Sequence, residues 1–147
     1  MPRAGDLAGV RSPLAWADAN LFVALLAGPA HSDHLRALDL FRSVAEGRLG
    51  LLVTPVVMAE VASVLWRRLG RDRATVASEL SQLVMAEGLV VAEQGLIEHA
   101  LEIYGSLGGL DFVDAYLAAS AALIGPQNIA SFDRDFDRIE GIRRIAS

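Results

Sequence analysis

The chain of 147 residues contains no cysteine, which excludes disulfides and thiolate metal sites; any metal must be held by oxygen or imidazole. It contains no lysine either, because all 13 basic residues are arginine. A P-loop would lack its lysine, and no glycine-rich phosphate loop of that spacing occurs. Long apolar runs are also missing. Hydrophobic residues make up 53% of the chain and mean hydropathy is +0.39, yet no uninterrupted run reaches the ~18 residues of a membrane span. The apolar surplus reads instead as a buried partner surface, that of a homodimer or an obligate companion. Residues 1–13 hold Gly5, Gly9, Pro2 and Pro13 but no apolar core, so they read as an irregular extension rather than a secretory signal, and the cytoplasm is the expected location. A net charge of −5 argues against general coating of nucleic acid, while leaving room for a basic rim around an acidic centre neutralised by metal.

No linker, repeat or shift of composition divides the rest, and residues 14–147 read as one domain. Short apolar segments at 14–17, 51–53, 89–92, 129–132 and 142–145 predict strands. Helical patterns fill 20–26, 32–45, 54–69, 72–87, 94–107 and 111–123 between them. Thr54-Pro55 supplies a hydroxyl cap with proline at the first helical position, and Asp72 caps the next helix. Strands that read as apolar throughout and alternate with helices predict an α/β fold with a parallel sheet covered on both faces. In such sheets ligands bind outside the carboxyl ends of the strands.

Carboxylates sit beside apolar residues in four segments near those ends: Trp16 to Asn20, Thr54 to Glu60, Asp111 to Ala115, and Ser131 to Asp135. An unpaired buried charge costs several kcal/mol or shifts its pKa, and a shared divalent cation accounts for all four segments at once. Asp18 directly follows the first strand and reads equally as the cap of the first helix. Glu60 lies among Val56, Val57, Met58, Val61 and Val64, too far into its helix for a capping box. Asp111 reads as an N-cap, with Asp114 projecting inward one turn on. Of Asp133, Asp135 and Asp137, Asp133 is nearest the strand end. Carboxylates gathered at one place repel unless a cation neutralises them, and oxygen-only ligation selects magnesium or manganese. Such a site suits phosphodiester hydrolysis, since the cation polarises a phosphoryl oxygen and acidifies a bound water.

Around this centre, Arg67 lies within roughly 20° of Glu60 on the helix surface and about 10 Å further along, placed to grip a flanking phosphate. Arg68, Arg71 and Arg73 read as a solvated face. Asn20, Thr54 and Ser131 read as caps or as groups that orient a ligand or a water. His31, His34 and His99 form no ligand pair with the acidic segments.

The segments Asp18-Ala19-Asn20-Leu21, Thr54 to Val61, Asp114 to Ala119 and Ser131 to Phe136, in this order, resemble the PIN-domain nucleases, and particularly the VapC-type toxins of toxin-antitoxin pairs. The resemblance implies a PIN-like three-layer α/β/α fold with a five-stranded parallel sheet. It implies a magnesium- or manganese-dependent endoribonuclease with Asp18, Glu60, Asp114 and Asp133 on the positions of the family's acidic quartet. It also implies a homodimer silenced by a small antitoxin that covers or enters the acidic cleft. The extension before Leu14 departs from the family, whose first strand usually starts almost at the N-terminus. A phosphatase of the haloacid-dehalogenase kind rests on Asp18 alone and lacks its lysine, and a phosphorelay receiver fails on the same absence. The alternative outside enzymes is a PIN-like scaffold that binds RNA or a protein without cleaving.

Overall fold

Helix starts are set by local chemistry in the computed structural model, which describes residues 13–146. The expected extension over 1–13 therefore lies outside the described residues, except for Pro13. Helix α1 (Ala19–Ala27) begins at Asp18, whose carboxylate accepts the Ala19 N–H at 2.8 Å. After α2 (His34–Ala45), helix α3 (Pro55–Arg67) begins at Thr54, whose hydroxyl accepts the Val57 N–H at 3.3 Å. Helix α4 (Arg73–Val84) begins at Asp72, which accepts from Thr75 at 2.8 Å; those Thr75 hydrogen bonds hold the Asp72 carboxyl below the usual carboxylate range. Helices α5 (Gln94–Ser106) and α6 (Phe112–Leu123) complete the helical layers.

Three strands pair in parallel in the order β1 (Leu14–Trp16), β2 (Gly50–Val53), β3 (Leu89–Val91), so their carboxyl ends lie together. Leu14 stands opposite Gly50, and a Cβ added to Gly50 would meet the Leu14 Cδ2 at 2.7 Å. Glycine there lets two strands and their side chains approach closely. Strands β4 (Asn128–Ala130) and β5 (Arg143–Ile145) form a separate two-stranded parallel sheet. The single five-stranded sheet expected from the sequence is thus divided into three strands and two; among the described residues no ladder joins β1 to β4. Apolar runs indicate strands but not which strands share an edge, and four of these five have only three residues with which to form a ladder.

Burial on both faces also holds less widely than the apolar runs suggest. Only β2 is buried at every position, while β1 exposes Trp16 and β5 carries Arg143 and Arg144. Strand β4 ends at Ala130, short of the expected Phe132, which is 89% exposed.

The main core packs Phe22, Met58, Val61, Leu65, Leu80, Ile97, Leu101 and Phe112 around β2. Each large side chain buried there contributes about 1.5–3 kcal/mol. A smaller cluster of Leu110, Ala118, Ala121, Ile129 and Phe136 lies between α6 and β4. Helix α6 serves both: Phe112, Ala115 and Ala119 enter the main core, and Ala118 and Ala121 the smaller one. Its many alanines favour helix and permit this close two-sided packing. Asp114 therefore stands on an element fixed from two sides.

Candidate active site

Helix α3 buries Met58, Val61, Ala62 and Leu65 on one side. Its other side carries Glu60, Ser63, Trp66 and Arg67 along a cavity of about 480 Å³. The loop through Gly109 and Asp111 and the first turn of α6, including Asp114, form a second wall; Arg73 and Tyr104 complete the lining. Three carboxylates, Glu60, Asp111 and Asp114, thus share one cavity with the guanidinium groups of Arg67 and Arg73. Glu60 is exposed to this cavity rather than enclosed by its apolar sequence neighbours as expected. A rotation of about 100° per residue explains it, because Met58 and Val61 turn to the core while Glu60 faces away.

Asp111 and Asp114 form a reciprocal capping box at the start of α6. The Asp111 carboxylate accepts the Asp114 N–H at 2.9 Å, and the Asp114 carboxylate accepts the Asp111 N–H at 3.3 Å. Asp114 is half-buried, and this burial is the main cause that raises its carboxyl above the ordinary aspartate range. The negative charge of Asp111 is the next cause, and that of Asp133 adds to it. Carboxylates crowded in this way favour a bound cation.

Asp133 lies at the start of a 3-10 turn over Arg134–Arg138, accepting the Asp135 N–H at 2.9 Å and donating its own N–H to the Ser131 hydroxyl at 3.0 Å. Neither Asp133 nor Asp18 lines the cavity that holds Glu60 and Asp114. Among the described residues no group of three or more carboxylates or imidazoles is close enough to hold a metal ion. The quartet expected at one place is therefore not drawn to ligand distance. The two members that do not line the cavity, Asp18 and Asp133, are engaged as local caps after strands of two different sheets, Asp133 still near enough for its charge to act on Asp114. Oxygen-only donors and the crowding at Asp114 nevertheless fit a hard divalent cation, which magnesium chemistry holds through one or two carboxylates with several waters retained.

Of the residues expected to orient a ligand, Ser131 contacts Asp133, and Thr54 is used as the α3 cap. Asn20 lines a separate groove with Asp33 and Arg36. The reading of Arg71 and Arg73 as a solvated face is overturned. Arg71 pairs with Glu79 and donates to the Leu26 carbonyl. Arg73 lies 5.0 Å from the Trp66 ring centroid and 4.8 Å from that of Tyr104, and donates to the Leu110 carbonyl. Burial raises the Tyr104 hydroxyl pKa, with Arg73 acting against it and Asp111 with it. One sequence signal marked Arg73: a cation at a helix N-terminus opposes the helix dipole, so it needs partners elsewhere.

A second pair escaped sequence reasoning. The Tyr116 hydroxyl donates to the Glu93 carboxylate just beyond β3, and its pKa is pushed up to about 12, by burial first and by Glu93 second. Glu93 adopts a left-handed backbone with φ 54°, which nothing in its local sequence announces.

Compared with known proteins, residues 16–142 match the PIN domain family. No curated protein and no solved structure matches the chain.

Proposed function

This chain belongs to the PIN domain family, whose members are generally metal-dependent nucleases, and from that premise we propose that it is a magnesium- or manganese-dependent endoribonuclease. The observation that carries the reading is the shared cavity: Glu60 from α3 and Asp114 from α6 face it together with Arg67 and Arg73, and burial, then the charges of Asp111 and Asp133, raise the Asp114 carboxyl pKa. Glu60 and Asp114 would hold the cation, and Asp18 and Asp133 would join them only by turning from their caps toward the cavity. When bound, the ion supplies charge neutralisation at the scissile phosphate and a more acidic water. Arg67 grips a flanking phosphate and sets the strand along α3. The capping box fixes the Asp114 side chain before substrate arrives, so little reorganisation is left to the reaction.

The finer assignment is the toxin of a type II toxin-antitoxin pair, acting as a homodimer in the cytoplasm and silenced by a cognate antitoxin. Exposed apolar side chains suit such partners: Val113, Leu117 and Leu123 along α6, Ile124 just beyond it, and Phe132 after β4. Among the described residues no helix is long and apolar enough to cross a membrane. A second reading, a PIN-like scaffold that binds RNA or protein without cutting, is favoured by the lack of three carboxylates at ligand distance among the described residues.

Cleavage of labelled RNA by the purified chain, with magnesium, manganese or chelator and beside Glu60→Gln and Asp114→Asn, separates the two. Metal-dependent cleavage that both variants lose is expected. Retained RNA binding without cleavage would establish the scaffold, and cleavage that persists in chelator would remove the carboxylates from the chemistry.

A further inference from the structure

We propose that Trp66 is a stacking platform for an unpaired nucleobase of a strand bound along the cavity; this rests on the nuclease reading above. Trp66 is 42% exposed although its neighbour Leu65 is fully buried, so α3 presents a large aromatic ring to the cavity instead of to the core. Arg73 lies over the ring at 5.0 Å from its centroid. That guanidinium is itself fixed, by its hydrogen bond to the Leu110 carbonyl and by the Tyr104 ring at 4.8 Å. A single guanidinium covers a single face of an indole. The ring is thereby held in place by a cation–π contact while part of it stays open.

What can use the open part follows from the neighbours. Arg67 adjoins Trp66 on the same cavity, so a cation for phosphate stands beside a ring for a base, the pairing that single-strand binding surfaces use. From Glu60 to Trp66 the rise along the helix is about 9 Å. That equals two to three steps of a stacked strand at about 3.4 Å each. Glu60 and Trp66 lie about 120° apart around α3, but both line the cavity, so a strand crossing it with a phosphate near Glu60 has a base within two to three steps of Trp66. In a duplex each base face is occupied by its neighbours, so only an unpaired base can transfer its face to the indole. Stacking of this kind tolerates any base, which gives strand selectivity without sequence selectivity.

Trp16 and Trp66 are the two tryptophans of the chain, so Trp16→Phe leaves Trp66 as the sole indole emitter. That variant is titrated, in chelator so that nothing is cut, with a mixed-sequence RNA oligonucleotide as single strand and as duplex. Saturable quenching by the single strand and little by the duplex is expected, with binding weakened roughly 5- to 150-fold in Trp66→Ala and largely kept in Trp66→Phe. Single-strand binding without quenching and undiminished in Trp66→Ala would overturn the proposal, and equal quenching by the duplex would overturn stacking of an unpaired base on Trp66. Metal-dependent cleavage is followed in parallel. Cleavage without quenching defeats the stacking proposal alone, and quenching without cleavage defeats the nuclease reading alone. The loss of both defeats each and leaves the ring to a protein partner.

Discussion

Substituting Asp114 with asparagine separates what this residue does for the fold from what it does for chemistry. An asparagine oxygen can still accept the Asp111 N–H that Asp114 accepts at 3.3 Å, so the capping box survives. The change also removes a negative charge from beside Asp111 and Asp133. Stability at neutral pH should therefore stay within about 0.5 kcal/mol of the native chain or rise. Asp114→Ala, which loses the reciprocal bond, should cost about 1 kcal/mol and lower Tm by roughly 2–4 °C. The pH dependence follows from the raised Asp114 carboxyl. The folded state holds that proton more tightly than the unfolded state, so the associated stability is present below the ordinary aspartate pKa and lost as pH rises through the raised value. Asp114→Asn has no such loss, and its stability relative to the native chain should improve from pH 4 to pH 7, roughly the window above the ordinary carboxyl range. Cleavage should fall about 100-fold or more, since metal catalysis supplies several kcal/mol and about 1.4 kcal/mol is a factor of ten. Thermal melts at both pH values and single-turnover cleavage measure the three quantities. A variant that melts far below the native chain, or that cuts at the native rate, would refute the reasoning.

Three further outcomes follow from the fold. Thr54→Ala removes the hydroxyl that accepts the Val57 N–H at the start of α3 and should cost about 1 kcal/mol in a denaturant melt; an unchanged midpoint would deny the cap its role. Gly50→Ala places a methyl group where the Leu14 Cδ2 would lie 2.7 Å away, but that terminal methyl belongs to a half-buried side chain that can turn aside, so the change should cost no more than about 1 kcal/mol in a denaturant melt; a larger loss would show that Leu14 is held fast. For Tyr116 the folded pKa of about 12 exceeds the ordinary tyrosine value of about 10, so stability present below the ordinary value is lost as pH rises toward the folded one. Tyr116→Phe should flatten that alkaline decline, and an identical slope would assign it to other groups.

Caps were the most legible part of the fold. Thr54-Pro55, Asp72 and Asp111 each begin a helix because the partner N–H lies three residues away, within the reach of local sequence. The sheet was less legible, since the side-by-side placement of three-residue strands is decided by distant packing; the division between β1 and β4 has no local signature. The family was legible because four short segments occur in order, and the PIN match over 16–142 falls within the 14–147 that the resemblance covered. Site geometry was legible in part. Glu60 and Arg67, seven residues apart on α3, line the same cavity, as helical spacing requires. Arg73 was missed because its partner, the Leu110 carbonyl, lies 37 residues away, and Glu93 because its bond to Tyr116 spans 23.

The central claim is that carboxylates of α3 and α6 act together on one divalent cation. Manganese soaked into crystals of the native chain and located by its anomalous scattering tests this most directly. A peak in the cavity between Glu60 and Asp114, absent from Asp114→Asn crystals, is the expected result. An empty cavity at saturating manganese, or a peak that persists when Asp114 loses its charge, would contradict it.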